Sequence, residues 1–210
     1  MKLNFNARQK IISIILILLN VASLKADDFP FGIKENMTKQ EIVEILSKKR
    51  IFQLRQPLTK GENGLSKISY TITSDELQFN GEMMEDLIVI WRGEEFYGLR
   101  LMSKLMPGKA TAFSRVNKIK EFFSEQGSVI LNDNSKNVIE PEQVKVIFKG
   151  KILMTIGVAS IPWVTRPNGP LVPQYLPYVS YLVESVVEKN AKKQDAIEEK
   201  ARKKAVDLLK

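Results

Sequence analysis

The chain of 210 residues contains no cysteine and no histidine. The first absence removes disulfides, thiolate nucleophiles and cysteine-ligated zinc or iron–sulfur sites. The second removes the imidazole base, so neither a Ser-His-Asp nor a Cys-His triad can be assembled, and the common haem ligands are missing. Glycine-rich phosphate loops are absent in both the P-loop and the dinucleotide form. No serine is followed by lysine three residues later, which excludes the Ser-x-x-Lys pattern. The chemistry left is that of carboxylates, lysine, tyrosine and hydroxyls, and no cofactor or metal is expected.

Charge of one sign is also scarcer than the total suggests. The formal net charge is +8, from 32 basic and 24 acidic residues. Lys2, Arg8, Lys10 and Lys25 lie in an acid-free opening, and without them the balance is 28 against 24. The mixed signs that remain give no concentrated basic face of the kind phosphate neutralisation needs, so nucleic acid is not an expected partner. Apolar residues at 44% and charged residues at 27% fit a folded globular chain rather than a disordered one.

The opening reads as an export signal. Lys2, Arg8 and Lys10 form a positive region, and Ile11 to Leu24 is an apolar run interrupted by Ser13, Asn20 and Ser23. The run is shorter than the ~20 residues a spanning helix needs, and Asp27 and Asp28 follow at once. A signal peptide over 1–26 is therefore expected, cut after Ala26 or, as the alternative, after Ser23. Export without cysteine favours a bacterial periplasmic or secreted protein over a small animal secreted domain. No membrane span is expected after cleavage.

A globular domain is expected over 27–188 and a charged helical tail over 189–210. Thr38 followed by Glu41 is a capping box, with Met37 and Ile42 as a hydrophobic staple, which predicts a helix over 38–50. Pro57 is placed in the loop beyond it. Alternation at Ile68, Tyr70 and Ile72 predicts a strand, Asn80-Gly81 a hairpin turn, and Leu87–Trp91 with Phe96–Met102 a strand pair. Gly98 marks a bulge or close approach, and Trp91 is expected in the core. Phe113, Val116, Ile119 and Phe123 predict a second helix to Gln126. Ser128–Leu131 reads as a strand, and Val144–Phe148 with Ile152–Ala159 as a hairpin. Val179, Leu182, Val183 and Val186 begin a long C-terminal helix. The fold class is α+β: an antiparallel sheet with two helices packed on one face, plus the C-terminal helix.

Five of the nine prolines fall in residues 162–177. Proline cannot donate to a ladder, so this stretch reads as an extended loop and not as a central strand. It carries the candidate binding residues Trp163, Arg166, Asn168 and Tyr175. Trp and Arg dominate many interfaces, and proline lowers the cost of ordering a loop. The structural alternative is that Trp163 plugs the core edge and the prolines guard a sheet edge. Glu94 and Glu95 could serve a carboxylate-dependent hydrolase, but they sit in a hairpin turn where acids are ordinarily solvated. Asp133 to Asn137 lacks the glycine and glutamate of a calcium loop, with Val138 and Val144 in their places.

The stretch Phe31-Gly32-Ile33-Lys34-Glu35-Asn36-Met37-Thr38-Lys39-Gln40-Glu41-Ile42 resembles the opening of small bacterial envelope proteins, the outer-membrane assembly lipoprotein and β-lactamase-inhibitor-like families. Asn36 stands where those families have glycine, the Leu-Gly-x-Pro ending of their helix is missing, and so is the lipidated cysteine. The resemblance implies a non-enzymatic envelope binding module whose partner is another envelope protein. The alternatives are a small carboxylate-dependent hydrolase and a subunit of a secretion or surface complex using the C-terminal helix.

Overall fold

The computed structural model describes residues 28–61, 64–75, 77–125, 129–132, 144–147, 152–164 and 171–183, with residues 185, 186, 188, 189, 192, 196 and 199 of the tail. Two short strands, β1 (Asp28–Phe29) and β2 (Ile33–Lys34), bracket a 3-10 turn at Pro30–Gly32 and pair with each other. Helix α1 (Lys39–Ser47) follows. The Thr38 hydroxyl accepts from the Glu41 N–H at 3.2 Å, and Glu41 Oε2 accepts from the Thr38 N–H at 2.7 Å. The predicted capping box is thus in place, and the bond from the Thr38 backbone holds the Glu41 carboxyl below its ordinary range. Ile42 and Leu46 are the residues α1 buries, and Met37 packs against the same core.

Four strands make the first half of the main sheet: β3 (Phe52–Lys60), β4 (Leu65–Ile72), β7 (Asp86–Arg92) and β8 (Glu95–Met102). The small hairpin β5 (Gln78–Phe79) and β6 (Glu82–Met83) interrupts them. Asn80 and Gly81 both have positive φ, 49° and 77°, as the Asn-Gly turn requires. Helix α2 (Lys109–Glu125) opens the second half, followed by β9 (Val129–Asn132), β10 (Val144–Ile147), β11 (Ile152–Val164) and β12 (Leu171–Val183). α2 begins four residues before Phe113, directly after Pro107-Gly108, and the Ala112 N–H bonds Gly108 O at 3.2 Å.

The eight strands form one antiparallel sheet in the order β3-β4-β7-β8-β12-β11-β10-β9. Each half is a helix followed by a four-strand meander, and the two meanders join through their last strands, β8 and β12. The α+β class follows directly. One sheet face is read from β4 and β7, where Ile68, Tyr70, Leu87, Val89 and Trp91 are buried in alternation. With Leu99, Leu101, Ile156 and Val179, and with the α1 and α2 residues Leu46, Val116 and Ile119, they form a single core cluster.

Two expectations are corrected. Pro57 is not in a loop but inside β3, the sheet edge, whose register slips between Leu54 and Gln56 and between Gln56 and Thr59. A strand paired on one side tolerates a residue without N–H, and such irregularity protects an edge from further pairing. Val179, Leu182 and Val183 do not begin a helix but end β12, paired with β11, because their apolar side chains belong to a strand buried inside the sheet; most of the rest of the predicted C-terminal helix, and the loop Asp133 to Asn137, lie outside the described residues. The tail is nevertheless tied down at its start. Val186 is buried, Ser185 Oγ donates to Glu35 Oε1 at 3.0 Å, and Lys189 pairs with Glu95.

Among the described residues, four buried side chains of this face, Ser66, Tyr70, Trp91 and Tyr181, carry polar atoms with no hydrogen-bond partner. Burial pushes the Tyr181 phenol far above its ordinary value and raises that of Tyr70. A phenol with a raised folded value supports the fold fully below its unfolded pKa of about 10 and less as pH rises beyond it. Tyr181→Phe removes an unsatisfied hydroxyl, so it is expected to stabilise the protein by about 1 kcal/mol at neutral pH. It should also flatten the alkaline loss of stability between about pH 10 and pH 11. Urea titrations of both proteins across that range check the sign; a clear destabilisation at neutral pH would mean the hydroxyl is bonded.

Candidate binding site

The residues singled out from the sequence do not sit on a free loop. They belong to the hairpin of β11 and β12, whose thirteen residue pairs run from Ile152↔Val183 to Val164↔Leu171. This corrects the expectation for 162–177: Pro162, Pro173 and Pro177 lie within paired strands. Register explains how. Tyr175 exchanges both backbone bonds with Met106, each at 2.8 Å, so its N–H and C=O face away from β11. Alternate residues of a strand share a direction, so Pro173 and Pro177 face the same way, and the Pro177 carbonyl indeed accepts from the Ser103 N–H at 3.0 Å. Pro162 pairs with Pro173 and therefore faces away from β12. Each of the three sits where the hairpin asks for no donor.

The hairpin outruns its neighbours. β10 pairs with β11 over Leu153 to Ile156 only, and β8 pairs with β12 over Tyr178 to Leu182 only. Among the described residues, Gly157–Val164 has no partner strand but β12, and Leu171–Gln174 none but β11. Among the described residues, the result is a two-stranded arm without another neighbour over four pairs, Ile161–Val164 with Leu171–Gln174, or roughly 13 Å at the usual rise. In the first half of the sheet the equivalent hairpin, β7–β8, ends at once in the Gly93–Glu94 turn.

Of the four candidate residues, the structure places two. Trp163 lies in β11 opposite Val172. Tyr175 lies in β12 at the base of the arm, half-buried against the core and clamped to Met106. Arg166 and Asn168 lie outside the described residues. Tyr175 thus has a supporting role that the sequence did not show. The residue that sequence reasoning missed is Leu171, 66% exposed at the arm's end. Pro162 and Pro173 are exposed beside it. A signal for them was present: between Ile152 and Val183 the only charged residue is Arg166.

Other sites carry less. Glu94 is 90% exposed and pairs with Lys39 at 2.9 Å, and Glu95 pairs with Lys189; surface pairs of this kind contribute little stability. The two acids tie the β7–β8 turn to α1 and to the tail. Glu82 is buried and accepts from Arg115 Nη1 at 2.7 Å and from the Ser103 hydroxyl, which holds the β5–β6 hairpin to α2. A cleft of about 360 Å³ is lined by Arg55, Thr71, Ser74, Asp75, Met83 and Asp86 among others. Arg55 donates to both Asp86 oxygens at 3.0 and 2.8 Å, so its guanidinium is already engaged there. Among the described residues no three acids gather as a metal site, and no helix is long and apolar enough to cross a membrane. No family model, curated protein or solved structure matches the chain.

Proposed function

We propose that this is an exported, non-enzymatic binding or assembly module of the bacterial envelope, and that the β11–β12 arm is the element it offers to its partner. The observation that carries the reading is the arm itself: a hairpin that, among the described residues, extends past the pairing of both neighbouring strands, with Leu171 exposed on it. Among the described residues no further strand pairs with those extra residues, and a contact there would offset the cost of ordering them. The two helices share one face of the sheet, the C-terminal helix follows, and the resemblance of residues 31–42 to envelope assembly families supports the same assignment. Another envelope protein is the partner this reading names, with Trp163, Arg166, Asn168 and Tyr175 at the contact.

The double variant Trp163→Ala, Arg166→Ala tests it. Co-purification with the native envelope partner should fall by more than about tenfold, as interface anchors of these types do, with the melting temperature nearly unchanged. Loss of melting temperature together with binding would make Trp163 a core residue. Retained co-purification by a folded double variant would make the arm structural.

A further inference from the structure

We propose that Met83 is a site of reversible oxidation, and that its sulfoxide oxygen is bonded by Arg55 in the cleft both residues line. The inference is independent of the arm. It concerns the β3 side of the sheet and a different chemistry.

The chain has no cysteine, so its seven methionines hold its only sulfur. A thiol would intercept an oxidant first; here the thioethers are the side chains most readily oxidised. Which one reacts is then decided by access, because the oxidant must touch the sulfur lone pair. Six of the seven lie among the described residues. Met84, Met106 and Met154 are 2%, 5% and 0% exposed. Met37 and Met102 are half-buried. Met37 Sδ also accepts from the Lys34 N–H at 3.4 Å, which occupies a lone pair. Met102 sits in β8 between Asp86 of β7 and Tyr178 of β12, walled on both sides. Met83 is 48% exposed. Alternation explains the contrast with its neighbours: Glu82 and Met84 turn inward, and Met83 turns to solvent.

The oxidant is a peroxide, hydrogen peroxide being the simplest. The thioether sulfur attacks one peroxide oxygen; an S–O bond forms and the O–O bond breaks. Sulfur gives up two electrons, the peroxide takes them, and after proton transfer water leaves. The product is methionine sulfoxide, a polar acceptor in place of an apolar group. A methionine sulfoxide reductase reverses the step with electrons from a dithiol.

The cleft holds a donor for the new oxygen. Its volume of about 360 Å³ leaves room for one more atom. Arg55 spends only Nη1 on Asp86, at 3.0 and 2.8 Å to the two oxygens. Among the described residues its Nε and Nη2 have no partner. A guanidinium carries five N–H donors in a fixed fork, so donors remain. Asp75, Glu85 and Asp86 line the same cleft as acceptors, which leaves Arg55 its strongest donor. Arg55 belongs to β3 and Met83 to β6, so the bond ties the small hairpin to the sheet edge.

The test treats the full exported chain with hydrogen peroxide and follows the gain of one oxygen at each methionine by peptide mass spectrometry. Fragment ions separate Met83 from Met84. Met83 is expected to react first, about tenfold or more faster than Met84, Met106 and Met154. In concentrated urea the rates should converge, and a methionine sulfoxide reductase should restore the original mass. With isotope-labelled arginine, the Arg55 Nε–H resonance should move on oxidation and stay in place in peroxide-treated Met83→Leu. The rates are read on the unmodified protein, so the site stands or falls without the variant. Met37 or Met102 reacting first, or Met83 reacting no faster than Met84, would overturn the site. Oxidation of Met83 with the Arg55 resonance unmoved would overturn its capture by Arg55.

Discussion

Gly98→Ala is expected to destabilise the protein by about 3 kcal/mol or more, although it adds one methyl group. Gly98 lies in β8 opposite Leu182 of β12, at the seam where the two halves of the sheet join. Its φ is 153°, and a Cβ built there would sit 2.2 Å from the Tyr181 carbonyl oxygen. That oxygen belongs to the backbone of a strand paired on both sides, so it cannot swing away as a side chain would. Relief requires β8 and β12 to part, which opens the core beside Leu99 and Tyr181. A register shift between Ile90 and Trp91 on the adjoining strand marks the same distortion. Urea denaturation of the variant measures the effect. A change of under about half a kcal/mol would mean that the halves do not join through this pair.

Phe123→Ala is expected to cost about 3–5 kcal/mol. Phe123 is 2% exposed, and its ring lies 5.2 Å from that of Phe79 and 5.3 Å from that of Phe122. Phe79 and Phe122 are themselves 5.4 Å apart, so truncation leaves two rings facing a cavity that neither can fill. The three rings hold the β5–β6 hairpin against α2, and the pair of buried Glu82 with the partly exposed Arg115 fastens the same contact. The loss should therefore appear as cooperative destabilisation rather than local fraying. In α1, Ile42→Ala should cost about 2–5 kcal/mol for the same reason. Near-zero losses at both positions would place these helical stripes in solvent.

These two sites show what the sequence made legible. A glycine within an apolar strand signals a close approach, and Gly98 is one. The Phe113/Val116/Ile119/Phe123 stripe located α2, and Thr38 with Glu41 located α1 to its cap. Local signals failed where proline was involved. Taken locally, Pro57, Pro162, Pro173 and Pro177 argue for loops, yet a strand loses nothing at a position whose N–H faces away from its partner. That direction depends on register, and register is set by the partner strand, far away in sequence. Trp163 and Tyr175 were therefore found as residues but assigned to a loop instead of an arm. The expected strand Ile152–Ala159 runs on to Val164, through Pro162. A single exposed leucine is ordinary, so Leu171 gains meaning only from the described pairing limits of β8 and β10, which leave it beyond both strands.

The central claim is that the β11–β12 arm is the contact element, and amide hydrogen exchange tests it most directly. The exported chain is compared alone and with its native envelope fraction. Exchange should slow in residues 157–164 and 171–177 when the envelope is present, while the β3 edge, residues 52–60, stays unchanged. Unchanged exchange in the arm, with new protection along β3 or in the tail, would contradict the account and move the contact elsewhere.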